Sequence, residues 1–204
     1  ANKAGKVVVF GTDISEQMAD FLLHGVIKDA VNVPSLSPEQ LGLLKPYLGL
    51  LEKLGSFQGQ CSSSSIGKVE LSYHGEVSRL DVAPLTVCYL RGLLAPILGE
   101  SVNYVNAPVM AKERGIELVE SKAGDAVDFV SLVQAKITTD DDVFSVSGTL
   151  FGKKHPRLVS VDGFTLEAIP EGIILMTNHY DKPGVLGNIG TLLGKNQVNI
   201  SRMQ

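Results

Sequence analysis

An imidazole and a carboxylate two residues apart, His179 and Asp181, close an apolar run just before the chain turns through Pro183-Gly184. In an extended segment residues two apart point the same way, so both groups would face one side. The chemistry they suit is binding rather than bond breaking. Asp181 would take an ammonium group, and the open N–H groups of Gly184, Val185 and Leu186, at the start of a following helix, would take a carboxylate. Asn199, where a later β-prone run begins, would hold the ligand's side chain through its amide. That set fits a small zwitterion; the plainer alternative is that Asp181 caps the helix and Asn199 serves a turn. A second group is basic: Lys153, Lys154, His155 and Arg157 form the densest cluster of positive charge. On a hairpin tip it would hold a phosphate or carboxylate through charge-assisted hydrogen bonds, or be a solvated loop. The four serines Ser62–Ser65 read as a solvated linker, because no Gly-Lys-Ser/Thr follows to make a phosphate cradle. His24 and His74 have no partners at metal-ligand spacing; no metal is expected, and His74 reads as a turn residue.

These groups need elements to place them. Ile173–Thr177 reads as a strand, and Val185, Leu186, Ile189, Leu192 and Leu193 fall at helical spacing after Pro183, which suits a first helical turn. Val198–Ser201 returns as a strand, giving strand (173–178), helix (183–195) and strand (198–203). Gly184, Gly187, Gly190 and Gly194 leave the other side of that helix small. A unit of this size cannot bury its own apolar face, so it reads as half of a domain. Upstream, Asp13–Gly25 reads as a helix and Ala30–Pro34 as extended chain. Ser37-Pro38-Glu39-Gln40 opens a long helix with Leu41, Leu44, Leu48, Leu51 and Leu54 on one face, bent or divided at Pro46. Gly59–Gly67 reads as a loop, Val69–Tyr73 and Leu80–Val82 as strands, Pro84–Leu98 as a buried helix and Ala107–Arg114 as a short helix stopped by Gly115. From Ile116 to Leu166 strands prevail, with a tip at Asp140–Asp142 and a two-residue hairpin at Asp162-Gly163. Helices first and antiparallel strands later predict an α+β fold.

Composition narrows the function classes. The chain has 204 residues, 44% apolar and 20% charged, with a formal net charge of −4. That balance argues against nucleic-acid binding, which needs a basic face. The longest apolar runs fall short of a membrane span, and the opening run is too short for a signal peptide. Two cysteines in a chain of this length predict free thiols and a reducing, cytoplasmic setting. No Gly-x-Gly-x-x-Gly unit occurs between a strand and a helix; Gly184, Gly187 and Gly190 are spaced differently. No dinucleotide site is expected in this chain.

Several blocks together carry a resemblance. They are Asn32-Val33-Pro34, Leu54-Gly55-Ser56-Phe57, Val105-Asn106-Ala107-Pro108, Ala111-Lys112-Glu113-Arg114-Gly115, Ser147–Gly152 and Asp181–Gly187 followed by Val198-Asn199-Ile200. The set resembles the intervening, or allosteric-substrate-binding, domain of long-form D-3-phosphoglycerate dehydrogenases, followed by the start of an ACT domain. The resemblance covers nearly all of residues 25–204. Residues 1–27 read as a leader, or a short strand, and a linking helix; the resemblance implies an intervening domain over 28–169 with a mostly antiparallel or mixed sheet and packed helices, and the first half of a ferredoxin-like ACT domain over 170–204. It implies a fragment of a longer enzyme of serine biosynthesis whose NAD and catalytic domains precede residue 1, so no catalytic or cofactor residue is carried over here. It further implies self-association through both domains and an L-serine effector site between two subunits, lined by positions matching His179, Asp181 and Asn199, and a basic position matching Arg157. The alternatives are the same regulatory part of an L-serine dehydratase subunit, or a free-standing amino-acid-binding ACT protein.

Overall fold

The computed structural model describes residues 15–16, 38–124 and 128–203. The expected helix over 13–25, apart from its helical residues 15 and 16, and the extended Ala30–Pro34 lie outside the described residues. The chain runs through helix α1 (Pro38–Cys61), strand β1 (Ile66–Gly75), a 3-10 turn (Glu76–Arg79), α2 (Ala83–Leu98), α3 (Ala107–Glu113), β2 (Glu117–Ala123), β3 (Ser131–Thr139), β4 (Val143–Phe151), β5 (His155–Val161), β6 (Phe164–Ala168) and α4 (Val185–Lys195). The six strands form one sheet in the order β2-β1-β3-β4-β5-β6. Only β1 and β2 are parallel, the connection between them running through α2 and α3; every other neighbour is antiparallel. The fold is α+β, as expected, with a mixed sheet. Among the described residues no helix is long and apolar enough to cross a membrane.

Alternation sets the two faces of the sheet. Val69, Leu71 and Tyr73 of β1 and Val133, Ala135 and Ile137 of β3 are buried, while Lys68, Glu70, Gln134 and Lys136 between them reach the other face. On that polar face Glu70 lies 3.3 Å from Lys68 and 3.4 Å from Lys136. Helix α1 packs across β3, β4 and β5 on the apolar face, with Leu44, Leu50, Leu51 and Leu54 wholly or almost wholly inaccessible to solvent. Helix α2 packs beside it, burying Leu85, Tyr89, Leu90, Leu93 and Leu94.

Glycines decide how close the two helices come. A Cβ on Gly55 would strike the carbonyl oxygen of Tyr89, one on Gly59 that of Leu93, and one on Gly92 that of Glu52. Each helix therefore presents backbone to backbone where the other has no side chain. Gly59, expected in a loop, lies within α1 for this reason, and the loop shortens to Ser62–Ser65. Pro46 does not divide α1. The carbonyl it leaves without a helical donor belongs to exposed Gly42, where water can serve it. Leu80–Val82 is not a strand but the lead-in to α2, where Asp81 Oδ1 accepts from the N–H of Ala83 at 3.2 Å. His74 belongs to β1 rather than to a turn, and its Nε2 is buried without a hydrogen-bond partner.

Candidate functional site

The proposed effector loop is built around Gly184. Its φ of 90° lies in the left-handed region, which a residue without Cβ adopts at little cost. That geometry ends the preceding turn and lets the N–H of Asn188 reach the carbonyl of Gly184 at 2.9 Å, the first helical bond of α4. The helix accordingly starts at Val185, and Pro183 stands in the turn before it rather than in its first turn. Nothing caps α4 through a side chain, so Asp181 does not play the capping role. His179 Nδ1 lies 3.1 Å from the carbonyl of Tyr180, and the Lys182 ammonium stands 5.8 Å from the Tyr180 ring centroid. Among the described residues no hydrogen bond or ion pair joins His179, Asp181 and Asn199 to one another.

The two apolar runs flanking α4 carry no sheet pairing. A strand needs a neighbour to satisfy its N–H and C=O groups, and no described strand stands beside either run. Ile173, Leu175, Met176, Leu186, Leu192 and Val198 are exposed, and no residue of α4 is buried. The segment is anchored at its start: the Lys53 ammonium of α1 meets the Glu171 carboxylate at 2.5 Å, which holds that carboxyl below the usual range.

The basic cluster surrounds the β4–β5 turn, where Gly152 and Lys153 both take positive φ. Its charges are partly compensated. Lys153 Nζ lies 3.1 Å from Glu76 Oε2. Arg157 Nε lies 3.4 Å from Glu167 Oε1, its Nη1 donates to the Pro156 carbonyl at 3.0 Å, and its guanidinium covers the Phe151 ring at 5.4 Å. Lys154 and His155 are exposed and form no ion pair among the described residues. An anion arriving here meets two donors without an acid partner and two that already face acids.

Two features escaped the sequence. A buried polar chain joins the helices to the sheet through Gln58, and a cleft opens between Ser62–Ser65 and Arg114. The Ser62–Ser65 connection, read as a solvated linker, also lines this cleft, which a local pattern does not reveal because Arg114 and Ile116 lie some fifty positions away. Cys61 is exposed and Cys88 buried, both as free thiols. Among the described residues no group of three His, Cys, Asp or Glu could hold a metal ion.

Residues 43–162 match the family model described as the D-3-phosphoglycerate dehydrogenase intervening domain. This span runs from α1 to the end of β5. Over 193 residues the chain is 38% identical to the D-3-phosphoglycerate dehydrogenase of Synechocystis sp., covering 94% of this chain and 35% of that protein. It is 36% identical over 194 residues to the enzyme of that name from Methanocaldococcus jannaschii, covering 95% and 37%. With the one from Bacillus subtilis it shares 31% over 191 residues, covering 94% and 36%. The chain thus spans a little over a third of the length of these relatives. With a sheet and helix layer over the matched span and dehydrogenases among its relatives, the chain belongs to the D-3-phosphoglycerate dehydrogenase intervening-domain family.

Proposed function

We propose that this chain is the regulatory part of a D-3-phosphoglycerate dehydrogenase, an NAD-dependent enzyme of serine biosynthesis, and that residues 170–204 are the first half of an ACT domain that senses L-serine. In this reading residues 28–169 form the intervening domain, and two copies associate through both domains. The observation that carries the reading is the loop at Gly184. Its left-handed turn opens α4, where Leu186 and Leu192 remain exposed, and Asp181, just ahead of it in the chain, has no capping duty. A second copy laid against the exposed apolar runs would satisfy their unpaired backbone and remove Leu186 and Leu192 from water. Serine then sits across the interface, its carboxylate on the N–H groups of Gly184, Val185 and Leu186, its ammonium on Asp181, and its hydroxyl on His179 and Asn199. Binding that favours one subunit arrangement would slow a distant active site by shifting the population between arrangements.

The test is calorimetric titration of L-serine into the full-length protein and its Asn199→Ala variant. Serine should bind the parent and lose at least about tenfold in the variant, since a buried amide contact to a polar ligand is removed. Equal binding by both, or none by either up to millimolar serine, refutes the site.

A further inference from the structure

Helix α1 ends at Cys61 and the chain reaches β1 through Ser62–Ser65; α3 ends at Glu113 and the chain reaches β2 through Arg114, Gly115 and Ile116. Because β1 and β2 are parallel, the two connections lie at the same end of the sheet. Between them, against the last turns of α2, lies a cleft of about 330 Å³. Its apolar wall is made by Leu94 and Ile116, both buried, and by Ile97, which is 47% exposed.

The polar side of this cleft holds unused donors. Ser62 gives its hydroxyl to the Ser64 carbonyl at 3.1 Å, and Ser64 gives its own to Asp141 at 2.6 Å. The hydroxyls of Ser63 and Ser65 and the guanidinium of Arg114 make no side-chain hydrogen bond or ion pair among the described residues. A planar guanidinium is a two-pronged donor matched to a carboxylate. The volume stands at the small end of the ~300–1,000 Å³ usual for ligand pockets, which suits an acid of a few carbons rather than a nucleotide.

We propose that this cleft binds a small aliphatic monocarboxylate. The carboxylate takes both prongs of Arg114 and the hydroxyls of Ser63 and Ser65, and the hydrocarbon body lies along Leu94, Ile97 and Ile116. An inorganic phosphate would leave that apolar wall uncovered. The site is separate from residues 173–203 and does not depend on the serine reading.

Titration of 4-methylpentanoate into the full-length protein, followed by the methyl resonances of Ile97 and Ile116, tests this. Both methyl groups should move saturably, with a dissociation constant in the ~millimolar range expected of so small a ligand. Arg114→Ala should weaken binding by about tenfold or more, and the uncharged 4-methylpentanamide should bind as poorly, because each removes one partner of the charge-assisted pair. Arg114→Lys should recover part of the loss, which would distinguish lost recognition from a disturbed fold. No saturable shift, equal affinity in Arg114→Ala, or inorganic phosphate moving the same methyl groups at lower concentration would each overturn the proposal.

Discussion

The hydroxyl of Tyr89 on α2 donates to Oε1 of Gln58 on α1 at 2.6 Å, and Gln58 Nε2 donates onward to the carbonyls of Phe144 at 2.9 Å and Ala135 at 3.2 Å. One wholly buried amide thus fixes two helices to the middle of the sheet. Burial, with a smaller contribution from Tyr73, pushes the Tyr89 hydroxyl far above its ordinary pKa, so it stays a donor. Tyr89→Phe leaves Gln58 Oε1 buried without its donor and should cost about 1–3 kcal/mol. Gln58→Ala strands the Tyr89 hydroxyl and opens a void, so it should cost more. Urea unfolding of the three proteins checks both; a Gln58→Ala loss no larger than that of Tyr89→Phe would contradict the role given to the amide.

The helix crossing predicts opposite outcomes for chemically identical changes. Gly55→Ala or Gly92→Ala must push one backbone away from the other, at a cost of about 1–3 kcal/mol or more. Gly49→Ala, in α1 with open space around it, should instead stabilise by up to about 1 kcal/mol. Melting temperatures that shift the same way in all three variants would rule out backbone contact as the reason for the glycines.

Burial pushes the Cys88 thiol up to about 11 from 9.0. Above 9.0 the unfolded chain releases this proton while the folded chain keeps it, so stability falls as pH rises from 9.0 toward about 11. Tyr73 and Tyr89 are raised above 10.0 by burial and act in the same direction at higher pH. Urea midpoints should therefore drop as the pH is raised through this window, and Cys88→Val should show a shallower slope over it whatever its offset at neutral pH. Ellman's reagent should find one thiol in the native chain, Cys61, and two in denaturant.

The basic turn yields a test of the proposed anion site. Replacing Lys153 and Arg157 together by alanine should weaken phosphate binding, by about 2–4 kcal/mol if both contacts are direct. Glu76→Gln should do the reverse, freeing Lys153 from its acid at 3.1 Å. Calorimetry that finds neither change would dismiss the cluster as a solvated turn.

What the sequence made legible follows from the range of each signal. Alternation in Val69–Tyr73, the Asp162-Gly163 hairpin and the Ala107–Arg114 helix stopped by Gly115 rest on neighbours a few residues away, and the structure has them. Gly59 misled because glycine marks a loop locally and a close helix crossing globally; only Leu93 on another helix tells them apart. Leu80–Val82 looked like a strand because the apolar pair ignores Asp81, whose carboxylate starts α2. The Ser62–Arg114 cleft depends on parallel β1–β2 pairing, which no local pattern encodes.

That parallel pairing also bears on the order in which the chain assembles. Ser72 on β1 meets Ser121 on β2, 49 positions further along, so β1 stays without a strand partner until α2 and α3 have been made. Strands β3 to β6, by contrast, follow one another as antiparallel neighbours and close only short loops. Long loop closure is slow relative to hairpin formation. On a ribosome, α1 and α2 would meet through their glycines first, β1 would wait on that helical platform, and the meander would zip onto its open edge last.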